Sequence, residues 1–174
     1  MPVWAALEYE GVPAHLVREL KRNGSRFSAR VLATAIAELA CADPALAQVE
    51  LVVVPPSRDA AFRMRGFHPI ELVAHSVGLA TVQPFELSRQ VRDQRRLGVA
   101  ERRANLDHAF ELRLGWGHRL AGRRVLLLDD VVTTGATLTE LARACASAGA
   151  EVCSIWALAA TTRRDERAAA PPAY

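Results

Sequence analysis

The stretch Val125–Glu140, VLLLDDVVTTGATLTE, limits the fold more than any other part of the chain. Val125 to Leu128 is apolar without alternation, the pattern of a strand buried on both faces of a parallel sheet. Asp129 and Asp130 stand where that strand is expected to leave the sheet, at the edge where open α/β sheets hold ligands. Thr133, Thr134, Gly135, Ala136 and Thr137 then make a small-residue turn opening a helix from about Leu138. The free N–H groups of a helix N-terminus, joined by three hydroxyls, suit a phosphate dianion. Gly135 lets the backbone approach that anion with no Cβ in the way. The carboxylates, facing away from the phosphate, can accept hydrogen bonds from two neighbouring sugar hydroxyls. One strand, turn and helix can therefore grip a sugar phosphate at both ends. The plainer alternative is an acidic turn capped by threonine. A nucleoside-triphosphate P-loop does not fit, because the turn holds no lysine.

The rest of the chain alternates strands with helices. Val12–Arg22 places Leu16, Val17 and Leu20 on one face and basic residues opposite, a short amphipathic helix broken by Asn23-Gly24. Ser28–Ala40 is expected as a second helix and Val49–Val54 as a buried strand stopped by Pro55-Pro56. A polar loop bearing arginines, Ser57–Gly66, follows. Phe67–Leu79 reads as a helix with Pro69 in its first turn, and Val82–Leu87 as a strand. Ala109–Leu112 is a short strand candidate, and Arg119–Arg124 a turn into the motif strand. The helix Leu138–Ser147 ends at Ala148-Gly149, Val152–Ala159 is another buried strand, and Thr161–Tyr174 is expected to fray. This order implies one α/β domain over residues 1–160, with a mainly parallel central sheet flanked by helices and right-handed crossovers.

Bulk properties narrow the class. Hydrophobic residues make up 51% and charged residues 24% of 174, as expected of a soluble globular chain with a sizeable core. No apolar run approaches a membrane span, and the acidic opening MPVWAALEYE does not read as a signal peptide. Three cysteines without a Cys-x-x-Cys spacing argue against a disulfide framework. A cytoplasmic protein with no structural metal is the expectation. The net charge of +3 is unevenly spread, with six arginines between Arg89 and Arg103. Such a run is most often a solvated face; it also suits polyphosphate or nucleic acid, although aromatic interleaving is lacking.

VLLLDDVVTTGAT resembles the phosphoribosyl-pyrophosphate signature of type I phosphoribosyltransferases. Three further stretches resemble one branch of that superfamily, the ComF/GntX family of predicted amidophosphoribosyltransferases: YEGVPAHLVRELKRNG at Tyr9–Gly24, VVVPPSRDAAFRMRGFHP at Val52–Pro69, and RQVRDQRRLGVAERRANLDHAF at Arg89–Phe110. Many members carry an N-terminal four-cysteine zinc ribbon, which the sequence given does not contain. The resemblance implies a type I phosphoribosyltransferase-like fold with a flexible hood loop. It implies that Asp129 and Asp130 are catalytic residues on the ribose diol, and that Thr133–Thr137 hold the 5-phosphate. Pro56, Ser57, Arg58, Arg63 and Arg65 are assigned to the pyrophosphate, where guanidinium forks match phosphate oxygens. Arg89, Gln94, Arg102 and Asn105 are assigned to the hood. Members of the branch usually have Asn after Arg-Gly-Phe; here His68 and Pro69 follow Phe67.

Transfer of phosphoribosyl from phosphoribosyl pyrophosphate to a nitrogen acceptor, with release of pyrophosphate, is the activity this implies. Mg²⁺ would be held mainly by the substrate rather than by protein ligands. The alternative, of a different class, is a non-catalytic ComF-type accessory protein in DNA uptake or competence, binding single-stranded DNA or a DNA-processing partner. Superfamily members are often dimers, so a homodimer is a further expectation, and the acceptor is left open by the sequence.

Overall fold

The structure is a computed structural model and describes residues 1–57, 65–88 and 108–161. Its centre is a sheet of five strands: β1 (Trp4–Glu8), β2 (Leu51–Val53), β3 (Thr81–Val82), β6 (Arg124–Val132) and β7 (Glu151–Ala160). Their spatial order is β1-β7-β6-β2-β3, and every neighbouring pair is parallel. A separate antiparallel ribbon joins β4 (Phe85–Leu87) to β5 (Phe110–Leu112).

Period-two alternation on the central strands divides the core into two layers. Leu126 and Leu128 of β6, with Val52 and Trp156, face a layer built on helices α1 (Gly11–Asn23), α2 (Arg26–Ala42) and α3 (Pro69–Ser76). Val125 and Leu127, with Val53 and Ile155, face α5 (Ala136–Ser147) and the β4–β5 ribbon. The alternation is hidden in an all-apolar run because both faces of β6 are covered: Val125 to Leu128 are all 0% exposed.

The connections explain where a site can form. From β2 the chain crosses through α3 to β3 on one side; from β6 it crosses through α5 to β7 on the other. The two crossovers diverge between the adjacent strands β2 and β6, whose pairing runs to Val53 opposite Leu127. That divergence opens a crevice at the carboxyl ends of the two strands.

Several expected boundaries move. β6 extends to Val132, so Asp129 and Asp130 lie within the strand's last residues rather than beyond it. The helix expected over Phe67–Leu79 spans Pro69–Ser76, because Pro69 fixes its first turn and Gly78 takes a left-handed conformation with φ 76°. The expected strand Val82–Leu87 is cut by Gln83-Pro84 into two pieces belonging to different sheets. The turn expected over Arg119–Arg124 begins as a short helix, α4 (Gly117–Leu120). β1 was not expected at all: it is a short edge strand whose partner, β7, lies at the other end of the chain. Of the tail expected over Thr161–Tyr174 only Thr161 is described, and its N donates to the Val132 carbonyl at 2.9 Å. Residues 162–174 lie outside the described residues. No helix among the described residues is long and apolar enough to cross a membrane.

Candidate functional site

The crevice between the ends of β2 and β6 is a cleft of about 250 Å³ lined by Pro55, Pro56, Ser57, Arg65, His68, Asp129, Asp130 and Thr137, among others. Each wall follows from local sequence. Pro55-Pro56 ends β2 because neither residue can donate to the ladder. Since Val53 pairs with Leu127, the chain after β2 emerges beside Asp129 and Asp130. Across from them, Pro69 starts α3 and brings His68 and Ile70 to the rim.

The carboxylates divide between the two faces of the sheet. Asp130 shares the parity of Leu126 and Leu128 and so points to the α1 side, where Lys21 Nζ lies 2.9 Å from Asp130 Oδ1. Asp129 shares the parity of Val125 and Leu127, and its Oδ1 accepts from Asp130 N at 2.8 Å. Burial pushes Asp129 up to about 7, with the neighbouring Asp130 carboxylate adding to it; the Asp130 N–H and Lys21 pull the other way. Near neutral pH Asp129 therefore holds its proton for part of the time.

The turn after β6 leads into α5 through a glycine. Gly135 caps α5 with φ 75°, a conformation that costs other L-residues. A Cβ added there would meet nothing within 4 Å, so the glycine is fixed by its backbone angle and leaves the approach open. Ala136 N donates weakly to Thr134 Oγ1 at 3.4 Å. Thr137 lines the cleft, whereas Thr133 and Thr134 are exposed beside it and Ala136 is half-buried.

On the opposite wall, Ser57 Oγ and His68 Nδ1 are 2.8 Å apart. Desolvation lowers the His68 pKa, with Arg65 and Arg113 adding to the effect and Glu71 opposing it. Arg65 Nε is buried and has no hydrogen-bond partner among the described residues. A buried guanidinium N–H without an acceptor is costly, and an anionic ligand in the cleft supplies one.

The structure thus brings Pro56, Ser57, Arg65, Asp129, Asp130 and Thr137 to one cleft, with Thr133, Thr134, Gly135 and Ala136 in the adjoining turn. The pyrophosphate candidates Arg58 and Arg63 and the hood candidates Arg89, Gln94, Arg102 and Asn105 lie outside the described residues. Two residues join the site that sequence reasoning did not place there. His68 carries no site role in the sequence reading, although its position directly after Arg65-Gly66-Phe67 is a usable signal. Lys21 read as part of a solvated basic helix face, and no local pattern links it to a carboxylate 109 residues away. Among the described residues no group of three or more His, Cys, Asp or Glu side chains could hold a metal ion. The carboxylate donors here are two, and Asp130 is already engaged by Lys21.

Comparison with known proteins points to one superfamily. The family model described as phosphoribosyl transferase domain matches residues 50–172. Competence protein F of Haemophilus influenzae is 42% identical over 66 residues, 38% of this chain and 28% of that protein. The DNA utilization protein YhgH of Salmonella typhi is 34% identical over 102 residues, 56% of this chain and 43% of that protein. The adenine phosphoribosyltransferase of Mycobacteroides abscessus is 45% identical over 56 residues, 32% of each protein. In every case the match spans less than half the length of the relative.

Proposed function

Because this chain belongs to the phosphoribosyl transferase domain family, on its ComF branch, we propose that the cleft binds 5-phosphoribosyl 1-pyrophosphate and transfers its phosphoribosyl group to a nitrogen acceptor. The observation that carries this reading is the opposition across one cleft of an acidic pair and a buried guanidinium N–H, Arg65 Nε, lacking an acceptor among the described residues. The acidic pair adjoins a glycine-capped helix start, so one strand–turn–helix offers acceptors for a diol and donors for a phosphate.

In this reading the 5-phosphate sits on the Thr133–Thr137 turn, where hydroxyls and first-turn N–H groups donate to it. Asp129 and Asp130 accept from the ribose hydroxyls and fix the sugar's orientation. Arg65 donates to the diphosphate on C1, with Ser57 beside it, and Arg58 and Arg63, which lie between them in sequence, are further candidates for the same group. The C1–O bond breaks with its electron pair leaving on the diphosphate, the acceptor nitrogen forms the new C1–N bond, and that nitrogen loses a proton. The transition state has oxocarbenium character, so the carboxylates beside the sugar stabilise its developing positive charge. Mg²⁺, when bound to the diphosphate, supplies charge neutralisation of the leaving group. The site's contribution is placement and electrostatics rather than covalent chemistry.

The test is pyrophosphate release from Mg-phosphoribosyl pyrophosphate with ammonia and other nitrogen acceptors. Acceptor-dependent release that disappears in Asp129→Asn/Asp130→Asn supports transfer. Tight binding with no release for any acceptor refutes the catalytic half of the reading.

A second reading is favoured by the relatives, a competence protein and a DNA utilization protein. In that case the chain is a non-catalytic accessory protein that binds single-stranded DNA or a DNA-processing partner. Binding to oligonucleotides that weakens steeply with salt is the expected result. Absence of retardation at low salt removes the nucleic-acid form of this reading.

A further inference from the structure

Lys21 reaches the cleft from α1, a helix outside the matched residues 50–172. Its Nζ lies 2.9 Å from Asp130 Oδ1 and 2.9 Å from Asp130 Oδ2, a contact that spans both carboxylate oxygens. The helix's own pattern puts it there. Val17 and Leu20 are each 1% exposed against the sheet, and Lys21 follows Val17 by one turn. Its stem therefore leaves the edge of the apolar layer toward Asp130, which faces the same side of the sheet.

A second contact holds this end of α1 in place. Gly24 closes the helix at φ 66°, with its N–H on the Leu20 carbonyl at 2.9 Å. A Cβ there would stand 3.1 Å from Phe67 Cε1, so the Phe67 ring packs directly on the glycine. The end of α1 is thus tied to the Arg65-Gly66-Phe67 loop that forms the opposite wall of the cleft.

We propose that Lys21 is a positioning residue of the ligand site, whose ammonium pairs with both oxygens of Asp130 and holds that carboxylate oriented so that the acidic pair can accept hydrogen bonds from a sugar diol. An ionised carboxylate has about four acceptor positions. Lys21 takes one on each oxygen and leaves one on each for a ligand hydroxyl. The charged or titratable groups lining the cleft with the pair are Arg65 and His68, on the far wall; Thr137 of α5 is uncharged. Among the described residues Lys21 is the cation in direct contact with the pair, and its charge offsets the repulsion between the two adjacent carboxylates that raises the Asp129 pKa. The inference rests on the phosphoribosyl-pyrophosphate reading of the cleft.

The test compares wild type, Lys21→Met and Lys21→Arg by calorimetric titration with phosphoribosyl pyrophosphate from roughly pH 6 to 9. In parallel, carboxyl carbons of the ligand-free proteins are titrated by NMR. Lys21 lowers the Asp129 pKa, so its loss should raise it, and Lys21→Met should bind about tenfold more weakly near pH 7 and recover as pH rises, as expected for a shift of about one unit. Lys21→Arg should keep the wild-type profile within about threefold, because its charge is retained. Lys21→Met binding with wild-type affinity at every pH overturns the inference. So does equal weakening at every pH, which would make Lys21 a direct ligand contact. If wild type itself does not bind, the parent reading fails. The NMR titration then still decides whether Lys21 controls the ionisation of the pair.

Discussion

Two carboxylate sites in this molecule, one buried at Asp43 and one half-buried at Asp129 and Asp130, answer the cost of desolvation in opposite ways. Asp43 is 6% exposed, but its Oδ2 accepts from Ser154 Oγ at 2.5 Å and Trp156 Nε1 at 2.8 Å, and its Oδ1 from Ala45 N at 2.9 Å. Burial alone would raise its pKa; the donors from Ser154, Trp156 and Ala45 together outweigh it and leave the group below the usual carboxylate range. At the carboxyl end of β6, Asp129 has the Asp130 N–H and a carboxylate neighbour, and burial pushes it up to about 7. A satisfied acid ties α2 and the following turn to β7. An under-satisfied pair at a crevice has acceptors to spare, which is the property expected of a binding site.

The largest effect that would sharpen this contrast is in binding. Asp129→Asn/Asp130→Asn should weaken phosphoribosyl pyrophosphate by about 100-fold or more, since two charge-assisted hydrogen bonds of roughly 1.5–3 kcal/mol each are reduced. Calorimetry checks it, with circular dichroism to show an intact fold. Asp43→Ala should do the reverse. It leaves the Ser154 and Trp156 donors buried without an acceptor, costing roughly 2–4 kcal/mol in urea melts, while the affinity of the folded protein stays within about twofold of wild type. A large loss of affinity in Asp43→Ala would break the division between the two clusters.

The two acids should also give pH dependences of opposite sign. Asp43 has a depressed folded pKa, so its contribution is present above the unfolded value and is lost as pH falls through the folded one. Asp129 is raised to about 7, so the folded state keeps a proton that the unfolded chain has released. Stability should therefore decline as pH rises from about 4 to about 7. Asp129→Asn should remove that decline and gain roughly 1–3 kcal/mol above pH 7, the shift being discounted for partial solvation and for sharing of charge with Asp130 and Lys21. A thermal-melt series across pH distinguishes these signs. The smallest effect is on the opposite wall. Arg65→Lys should weaken phosphoribosyl pyrophosphate by about tenfold while leaving ribose 5-phosphate unchanged, because a point charge replaces a fork on the diphosphate alone.

The two clusters were not equally visible in the sequence. The strand–turn–helix of the site is local: an apolar run, two acids, a small-residue turn and a helix within Val125–Ser147, each with its own short-range signal. The glycine stops at Gly24 and Gly149 were legible for the same reason, and both take left-handed backbone angles. The Asp43 cluster was not legible, because its partners lie 111 and 113 residues away and none of them marks itself by pattern. Lys21 was hidden in the same way: a lysine on a basic helix face looks identical whether its partner is water or Asp130. Strand β1 escaped because a short edge strand is defined by its partner more than by its own residues. Local chemistry is readable along the chain; closure of a site across the sheet depends on topology.

The most direct measurement is calorimetric titration of the wild-type chain with phosphoribosyl pyrophosphate, with and without Mg²⁺. Micromolar binding that requires Mg²⁺ and is competed by ribose 5-phosphate is the predicted result. No heat under either condition, with no competition by ribose 5-phosphate, would contradict a phosphoribosyl site at the β2–β6 crevice.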